Sequence, residues 1–427
     1  MSSASFRRLS RVVLVALCGV AGAACGPDRT QILHRPVLHE ADDAGGEAEP
    51  RDGSVASADA GRDAGAPTQI AWQRISEGLD GLTWLGNSDT RGISGVAHGN
   101  GIWVVLGDTQ GEDSALRWAT STDGVHWTPA SQALPAGYAS VFRLFFAQGQ
   151  FVLFDSRNLG GDDRETFIYT SRDAVSWSAR RMPSGVRRGF GMASDGQRTV
   201  GAFGGGDVWD STDLARWSRR ALADQGETAG TIDVAFGGGR WVASMGVAST
   251  LDGRYQEDAR LFTSADGQSW QRAVSGAELR FEIEFGNDVW LAVNGADDYR
   301  TSVDGITFEA TEPTGVWRAQ QRPWLRFAGD RFVTAYVDVE QVPPPAVELL
   351  SSADGVDWRD FGAFPGMPLP EDALNIEYSI YDIAYADCRY VLAGTYTIQI
   401  PGALDPPLFA REVGPLLLTA EACPPAR

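Results

Sequence analysis

From about residue 70 to residue 423 the chain is written in short apolar runs cut by Gly, Asn and Asp. The first set reads "SGVAHGN" (94–100), "GIWVVLGD" (101–108), "ALRWATSTDG" (115–124) and "VHWTPAS" (125–131). Each run is rich in β-branched and aromatic residues and ends on a turn former, which predicts four antiparallel strands in a meander. The second strand of the set recurs as "GQFVLFD" (149–155), "GRWVASM" (239–245), "DVWLAVN" (288–294), "DRFVTAY" (330–336) and "CRYVLAG" (388–394), with a degraded copy, "GQRTVGAFG", at 196–204. A four-stranded unit that cannot bury both of its faces alone, repeated along one chain, predicts an all-β propeller.

The turn between the third and fourth strands carries a second periodicity. "TSTDGVHW" (120–127), "TSRDAVSW" (170–177), "DSTDLARW" (210–217), "TSADGQSW" (263–270), "TSVDGITF" (301–308) and "SSADGVDW" (351–358) are spaced by 38 to 53 residues. The chemistry expected of this box is local. The carboxylates of Asp123, Asp173, Asp213, Asp266, Asp304 and Asp354 accept backbone N–H bonds across the turn, and the hydroxyls of Ser121, Ser171, Ser211, Ser264, Ser302 and Ser352 assist. Gly124, Gly267, Gly305 and Gly355 suit a positive φ, with Ala174 and Leu214 in their place in two copies. Trp127, Trp177, Trp217, Trp270, Phe308 and Trp358 fold back beneath the turn, each indole removing roughly 150–250 Å² from water. The box is therefore expected to be scaffold rather than a catalytic element.

The box resembles the Asp-box, or bacterial neuraminidase repeat, of sialidases and other propellers, over residues 70–427. Here the Gly directly follows the Asp, one residue earlier than in the usual repeat. The resemblance implies the propeller fold. It implies little about activity, because the family's catalytic groups lie elsewhere: three arginines on a substrate carboxylate, a Tyr–Glu pair and an acid Asp. The Arg-Ile-Pro sequence common in sialidases is absent, and nothing marks Arg91, Arg143 and Arg280 as a triad.

Six boxes suggest six blades, but the termini favour seven. "IEYSIYDIAYADCRYVLAG" (376–394) repeats the first two strands, and "GPLLLTAEAC" (414–423) supplies a third with no fourth after it. "IAWQRIS" (70–76) matches the outer-strand segment "SWQRAVS" (269–275) yet has no blade before it. The expectation is a seven-bladed propeller, with six blades as the alternative, in which the N-terminal strand completes the last blade and covers its edge.

Aligning the inner strands on the following turn isolates a set of charges. One position holds Gly95, Leu144, Gly191, Asp233, Glu282, Trp324 and Asp382; two residues on stand Ala97, Phe146, Ala193, Ala235, Glu284, Arg326 and Ala384; every residue between them is apolar. Asp233, Glu282, Glu284 and Asp382 thus share a parity that faces the central channel, and they are the candidates for acid–base chemistry. Arg326, Glu282 and Trp324 are the candidates for ligand contact. The bland alternative is a hydrated channel in which Arg326 neutralises Glu284.

Composition narrows the partners. The 427-residue chain carries a formal charge of −20, and all its Lys+Arg residues are Arg. Such a chain repels nucleic acid and anionic headgroups. The four histidines, His34, His39, His98 and His126, are scattered, so no metal and no cofactor is expected. A monomer is expected.

The N-terminus reads as an export signal over 1–24: Arg7, Arg8 and Arg11, then the short apolar run "VVLVALCGVAGAA" (12–24). The following Cys25 resembles the modified cysteine of a bacterial lipoprotein lipobox, with Gly22 where Leu or Val is usual. That resemblance implies a lipid anchor in a bacterial cell envelope, with Gly26 pointing to the outer membrane; ordinary secretion is the alternative. Residues 25–68, rich in Ala, Asp, Gly and Glu, read as a tether too polar to bury a core. The propeller is expected over 69–427. Cys388 and Cys423 remain, either bridged, as suits an exported protein, or free.

Three functions are compatible with this reading: a non-catalytic, surface-tethered propeller that binds a protein or glycan; a divergent glycoside hydrolase using channel carboxylates; and an assembly factor for an envelope complex.

Overall fold

The computed structural model describes residues 70–423 apart from 80–81, 83–92, 109–114, 131–133, 136–142, 161–162, 185, 187–190, 204, 223–227, 252–253, 274–281, 295–297, 316–323, 338–346, 368–374 and 401–409. Cys25, the export segment and the tether lie outside the described residues, as do Arg91 and Arg280.

The strands form seven sheets, each built on four antiparallel strands. The inner strands are Ile93–Gly99, Leu144–Ala147, Gly191–Ser194, Thr228–Gly237, Glu282–Gly286, Leu325–Ala328 and Asn375–Ala386, here blades 1 to 7. In blades 1 to 6 the order across the sheet follows the sequence. Blade 7 differs in the expected way. Its outer strand is Gln73–Ile75, paired antiparallel to the third strand in the register Gln73 to Thr419, Arg74 to Leu418 and Ile75 to Leu417. The chain is thus a seven-bladed propeller closed by its N-terminal strand. Two blades add a fifth strand: in blade 1 Leu134–Pro135 pairs antiparallel to the third strand at Ala115 and Leu116, and in blade 6 Thr314–Gly315 runs parallel to the outer strand at Asp357 and Trp358.

Apolar side chains gather between blades rather than within them. Seven buried clusters occur among the described residues, one at each seam. Alternation along each strand explains this, because successive side chains point to opposite faces of the blade and both faces meet a neighbour. Val105, for example, belongs to the seam between blades 7 and 1, and Val104 and Leu106 to the seam between blades 1 and 2.

Each box turn takes the expected shape. In all six copies one Asp oxygen accepts the N–H groups two and three residues on, at 2.7–2.9 Å. The box Ser hydroxyl donates to the same oxygen. The residue after the Asp has positive φ in every copy, including Ala174 at 54° and Leu214 at 56°. Trp127, Trp217, Phe308 and Trp358 are buried, and Trp177 and Trp270 are half-buried.

At the inner end of the blade a second device repeats. Across the first hairpin, an aromatic ring of the inner strand stands opposite one of the second strand: His98 and Trp103, Phe146 and Phe151, Phe236 and Trp241, Phe285 and Trp290, Phe327 and Phe332, Tyr385 and Tyr390. Their centroids lie 4.5–5.1 Å apart. Blade 3, the degraded copy, has Ser194 opposite Thr199 instead. There the Asp195 carboxylate accepts the N–H groups of Gln197 and Arg198, so a polar turn replaces the ring pair.

Candidate functional site

The inner strands bring six charged side chains together: Arg143 from the residue before blade 2, Asp233 of blade 4, Glu282 and Glu284 of blade 5, Arg326 of blade 6 and Asp382 of blade 7. Five of them line a cavity of about 370 Å³, together with Phe146, Phe236, Phe285, Phe327 and Tyr385; Glu282 is not among its lining residues.

The two arginines organise the cluster. Arg143 Nη2 donates to Glu282 at 2.8 Å, and its Nη1 donates to Asp233 at 3.3 Å. Arg326 Nε donates to Asp382 at 3.1 Å and its Nη1 to Glu282 at 3.4 Å; Glu284 stands 3.5 Å from the same Nη1.

Two of the carboxylates also join blades. Asp233 Oδ2 accepts the N–H of Ile283 at 3.2 Å, which ties blade 4 to blade 5. Asp382 Oδ2 accepts the N–H of Val96 at 3.3 Å, which ties blade 7 to blade 1. Both aspartates follow a register shift in their strands, between Thr231 and Asp233 and between Ile380 and Asp382. A bulge re-aims the side chain that follows it, and here it turns each carboxylate toward the neighbouring backbone. Gly191 admits Asp233 on the other side: a Cβ there would lie 2.2 Å from Asp233 Oδ1.

The titration behaviour follows from four acids sharing two guanidiniums. Burial pushes Glu284 up to about 8 against the pull of Arg326, with Asp233 and Glu282 adding to the rise. Burial also raises Asp233 and Asp382, opposed chiefly by Arg143 and Arg326 respectively. Glu282 is buried too, yet Arg143 and Arg326 outweigh burial and hold it below its ordinary value. Glu284 is the cavity carboxyl with the fewest bonds, and its side chain keeps 22% of its exposure.

Trp324 lies outside the cavity lining. It precedes the inner strand of blade 6, donates its indole N–H to Tyr381 O at 2.6 Å and packs against the seam between blades 6 and 7. Arg326 stands 5.9 Å from its ring centroid. Arg143 is the member the strand alignment does not single out. The alignment sets blade 2 one residue out of step: Phe146 stands opposite Phe151 as Phe285 stands opposite Trp290, so Arg143, not Leu144, is the equivalent of Asp233, Glu282 and Asp382, and the signal available was the hairpin turn itself.

Cys388 and Cys423 form a disulfide. It joins the first hairpin turn of blade 7 to the end of its third strand.

Among the described residues no group of three or more His, Cys, Asp or Glu side chains is placed to hold a metal ion. Chemically, the cavity offers one under-bonded carboxyl, an aromatic lining and two guanidiniums held by carboxylates, of which Arg326 keeps a buried Nη2 without a hydrogen-bond partner. A two-carboxylate hydrolysis needs a second acid group with an oxygen available to substrate or water. Asp233 and Asp382 have both oxygens engaged, and Glu282, whose Oε2 is gripped by both arginines, is not among the residues that line the cavity.

No protein-family model matches the chain, and no curated protein matches it. Among solved structures, similar folds include YCF48 bound to a D1 peptide, at 12% identity and a TM-score of 0.47, covering 82% of this chain and 97% of that one. A Trypanosoma rangeli sialidase, in complex with 2,3-difluorosialic acid as a covalent intermediate, is similar at 11% identity and a TM-score of 0.43, over 82% of this chain and 58% of its own length. The computationally designed protein Ika8 is similar at 11% identity and a TM-score of 0.41, covering 74% and 86%.

Proposed function

We propose that this chain is a non-catalytic binding propeller, carried at the surface of a bacterial cell envelope on a lipidated Cys25 and a polar tether, with a protein or glycan as its ligand. The observation that carries the reading is how the channel acids are used. Asp233 and Asp382 spend their oxygens on the backbone of the next blade and on arginine. Glu282 is held ionised between Arg143 and Arg326. An acid that joins two strands must move to meet a substrate, and moving it breaks a seam. Glu284 alone does not supply the acid and base, or acid and nucleophile, that glycoside hydrolysis divides between two groups.

The test is a screen of the purified protein against sialosides and plant and microbial polysaccharides, read for both turnover and retention. Retention of a glycan or of a stoichiometric envelope protein without turnover is the expected result. Turnover that disappears in Glu282→Gln and Asp233→Asn would overturn the reading in favour of a hydrolase.

A further inference from the structure

The cavity holds more acid groups than guanidiniums, and the excess is met at rest by a proton on Glu284. Four carboxyls share two guanidiniums: Arg143 contacts Asp233 and Glu282, and Arg326 contacts Glu282, Glu284 and Asp382 through Nη1 and Nε, while its Nη2 is buried without a hydrogen-bond partner. An anionic ligand would reach Arg326 Nη2 only by adding its charge beside four acid groups, in a chain already at −20. A cationic ligand completes the balance.

The kind of cation follows from the lining. A hard divalent ion wants six to eight oxygens at close range. No three acid, His or Cys groups among the described residues are placed to hold one, and Arg326 stands within the acid cluster. What the cavity does present is the Glu284 carboxyl beside Phe146, Phe236, Phe285, Phe327 and Tyr385. One carboxylate with several aromatic rings suits an organic cation, whose charge rests on the acid and the ring faces while its methylenes pack on the ring edges. A volume of about 370 Å³ admits such a group with a few waters.

Resting on the reading of the chain as a binding propeller, we propose that its central channel binds a primary ammonium or guanidinium group on an aliphatic stem, with Glu284 as the counter-ion and the inner-strand aromatic rings as its walls. The chemistry is shared by a free alkylamine and by a basic side chain of a polypeptide.

The pH dependence has a definite sign. Glu284 faces Arg326 from blade 6, Asp233 from blade 4, Arg143 from before blade 2 and Glu282 on its own strand, with Asp382 of blade 7 lining the same cavity. Its carboxyl, raised to about 8, must lose its proton to receive the cation. Binding therefore strengthens on the order of tenfold between pH 6.5 and 8.5 and releases a proton when it occurs at pH 7.

Titration calorimetry of the full chain with butylamine, 1,5-diaminopentane, agmatine and a single-lysine peptide tests this, with butanol as the neutral control and buffers of different ionisation enthalpy to count protons. Expected are saturable binding of the amines but not of butanol, proton release at pH 7, and a loss of at least about tenfold in Glu284→Gln. Phe285→Leu, which keeps the charge, should weaken binding by several-fold. A peptide that binds tighter than butylamine assigns the site to a polypeptide side chain; equal affinity assigns it to free amines. If Glu284→Gln melts no lower than the wild type and binds amines equally well, or if no amine binds at pH 8.5, the proposal fails. Glycan or protein retention without turnover would still stand in that case, so failure of this inference is separable from failure of the binding reading.

Discussion

At the residue scale the box shows how one backbone angle outweighs side-chain identity. The position after the box Asp has φ between 54° and 73° in all six copies, whether Gly, Ala or Leu occupies it. At Gly305 a Cβ would lie 2.9 Å from Arg240 Cδ and 2.9 Å from Trp290 Nε1. Gly305→Ala is therefore expected to cost about 1–2 kcal/mol, since the left-handed region disfavours any Cβ and the contact adds to it. Ala174 already bears that strain while burying its methyl. Relief in Ala174→Gly is offset by the lost burial and the looser unfolded chain, so its net change should stay within about 1 kcal/mol. Urea unfolding of both variants decides the point, and equal losses would show that φ is not the controlling term. Glu284 gives the second residue-scale prediction. Its folded value of about 8 lies above the ordinary 4.5. Its stabilising contribution is thus complete below about pH 4.5 and is lost as pH rises through 8. Glu284→Gln does not ionise. It should melt with the wild type at pH 4.5 and be more stable by about 1–2 kcal/mol at pH 8.5; a variant less stable at pH 8.5 would mean the ionised carboxylate is welcome in the channel. The box aspartates behave oppositely. Their N–H bonds hold Asp173 at about 2, so their share of stability is present above pH 4 and fades as pH falls toward 2.

At the element scale the closing blade depends on a covalent link and a borrowed strand. Cys388 sits in the first hairpin turn of blade 7 with φ 59°, and Cys423 follows the third strand. The bridge closes a loop with a sequence separation of 35, for which chain entropy predicts about 3–4 kcal/mol. Reduction, or Cys388→Ser with Cys423→Ser, should lower stability by about that amount in a urea melt with and without a thiol reductant. A melt indifferent to reductant would place the bridge among the inert ones. The elements themselves were largely readable in advance, because each strand ends on a turn former and the segment 70–76 looks like an outer strand with no blade before it. The channel charges were readable through strand parity, which places Asp233, Glu284, Arg326 and Asp382 on one cavity. Two things were not. Thr314–Gly315 pairs parallel to blade 6 through only two residues, too few for any periodicity to announce. And the re-aiming of Asp233 and Asp382 onto neighbouring backbone depends on bulges, whose one-residue offsets leave no trace in composition.

At the scale of the whole molecule, a ring of blades touching only their neighbours has seven seams, and the seams flanking blade 7 depend on a segment from the other end of the chain. Ile70 and Trp72 pack into the seam between blades 6 and 7, while Ile75, Leu79 and Leu82 pack into the seam between blades 7 and 1. Trp72 is the strongest single anchor: 6% exposed, its N–H donated to Phe361 O at 2.9 Å, its ring 5.7 Å from Phe361 and 6.3 Å from Tyr390. The main-chain pairing it supports spans only Gln73–Ile75. Because stability in such arrays is a sum of local and nearest-neighbour terms, loss of this anchor should loosen its own seams first. Trp72→Ala is expected to cost about 3–5 kcal/mol and to do so unevenly. Amide exchange should accelerate at Leu416–Ala420 and around Phe361, while Val200 and Val242, in the seam between blades 3 and 4, keep their protection. Measured by hydrogen exchange and mass spectrometry, an equal loss of protection in every blade would mean that the ring opens only as a whole and that the N-terminal strand is not its weakest closure.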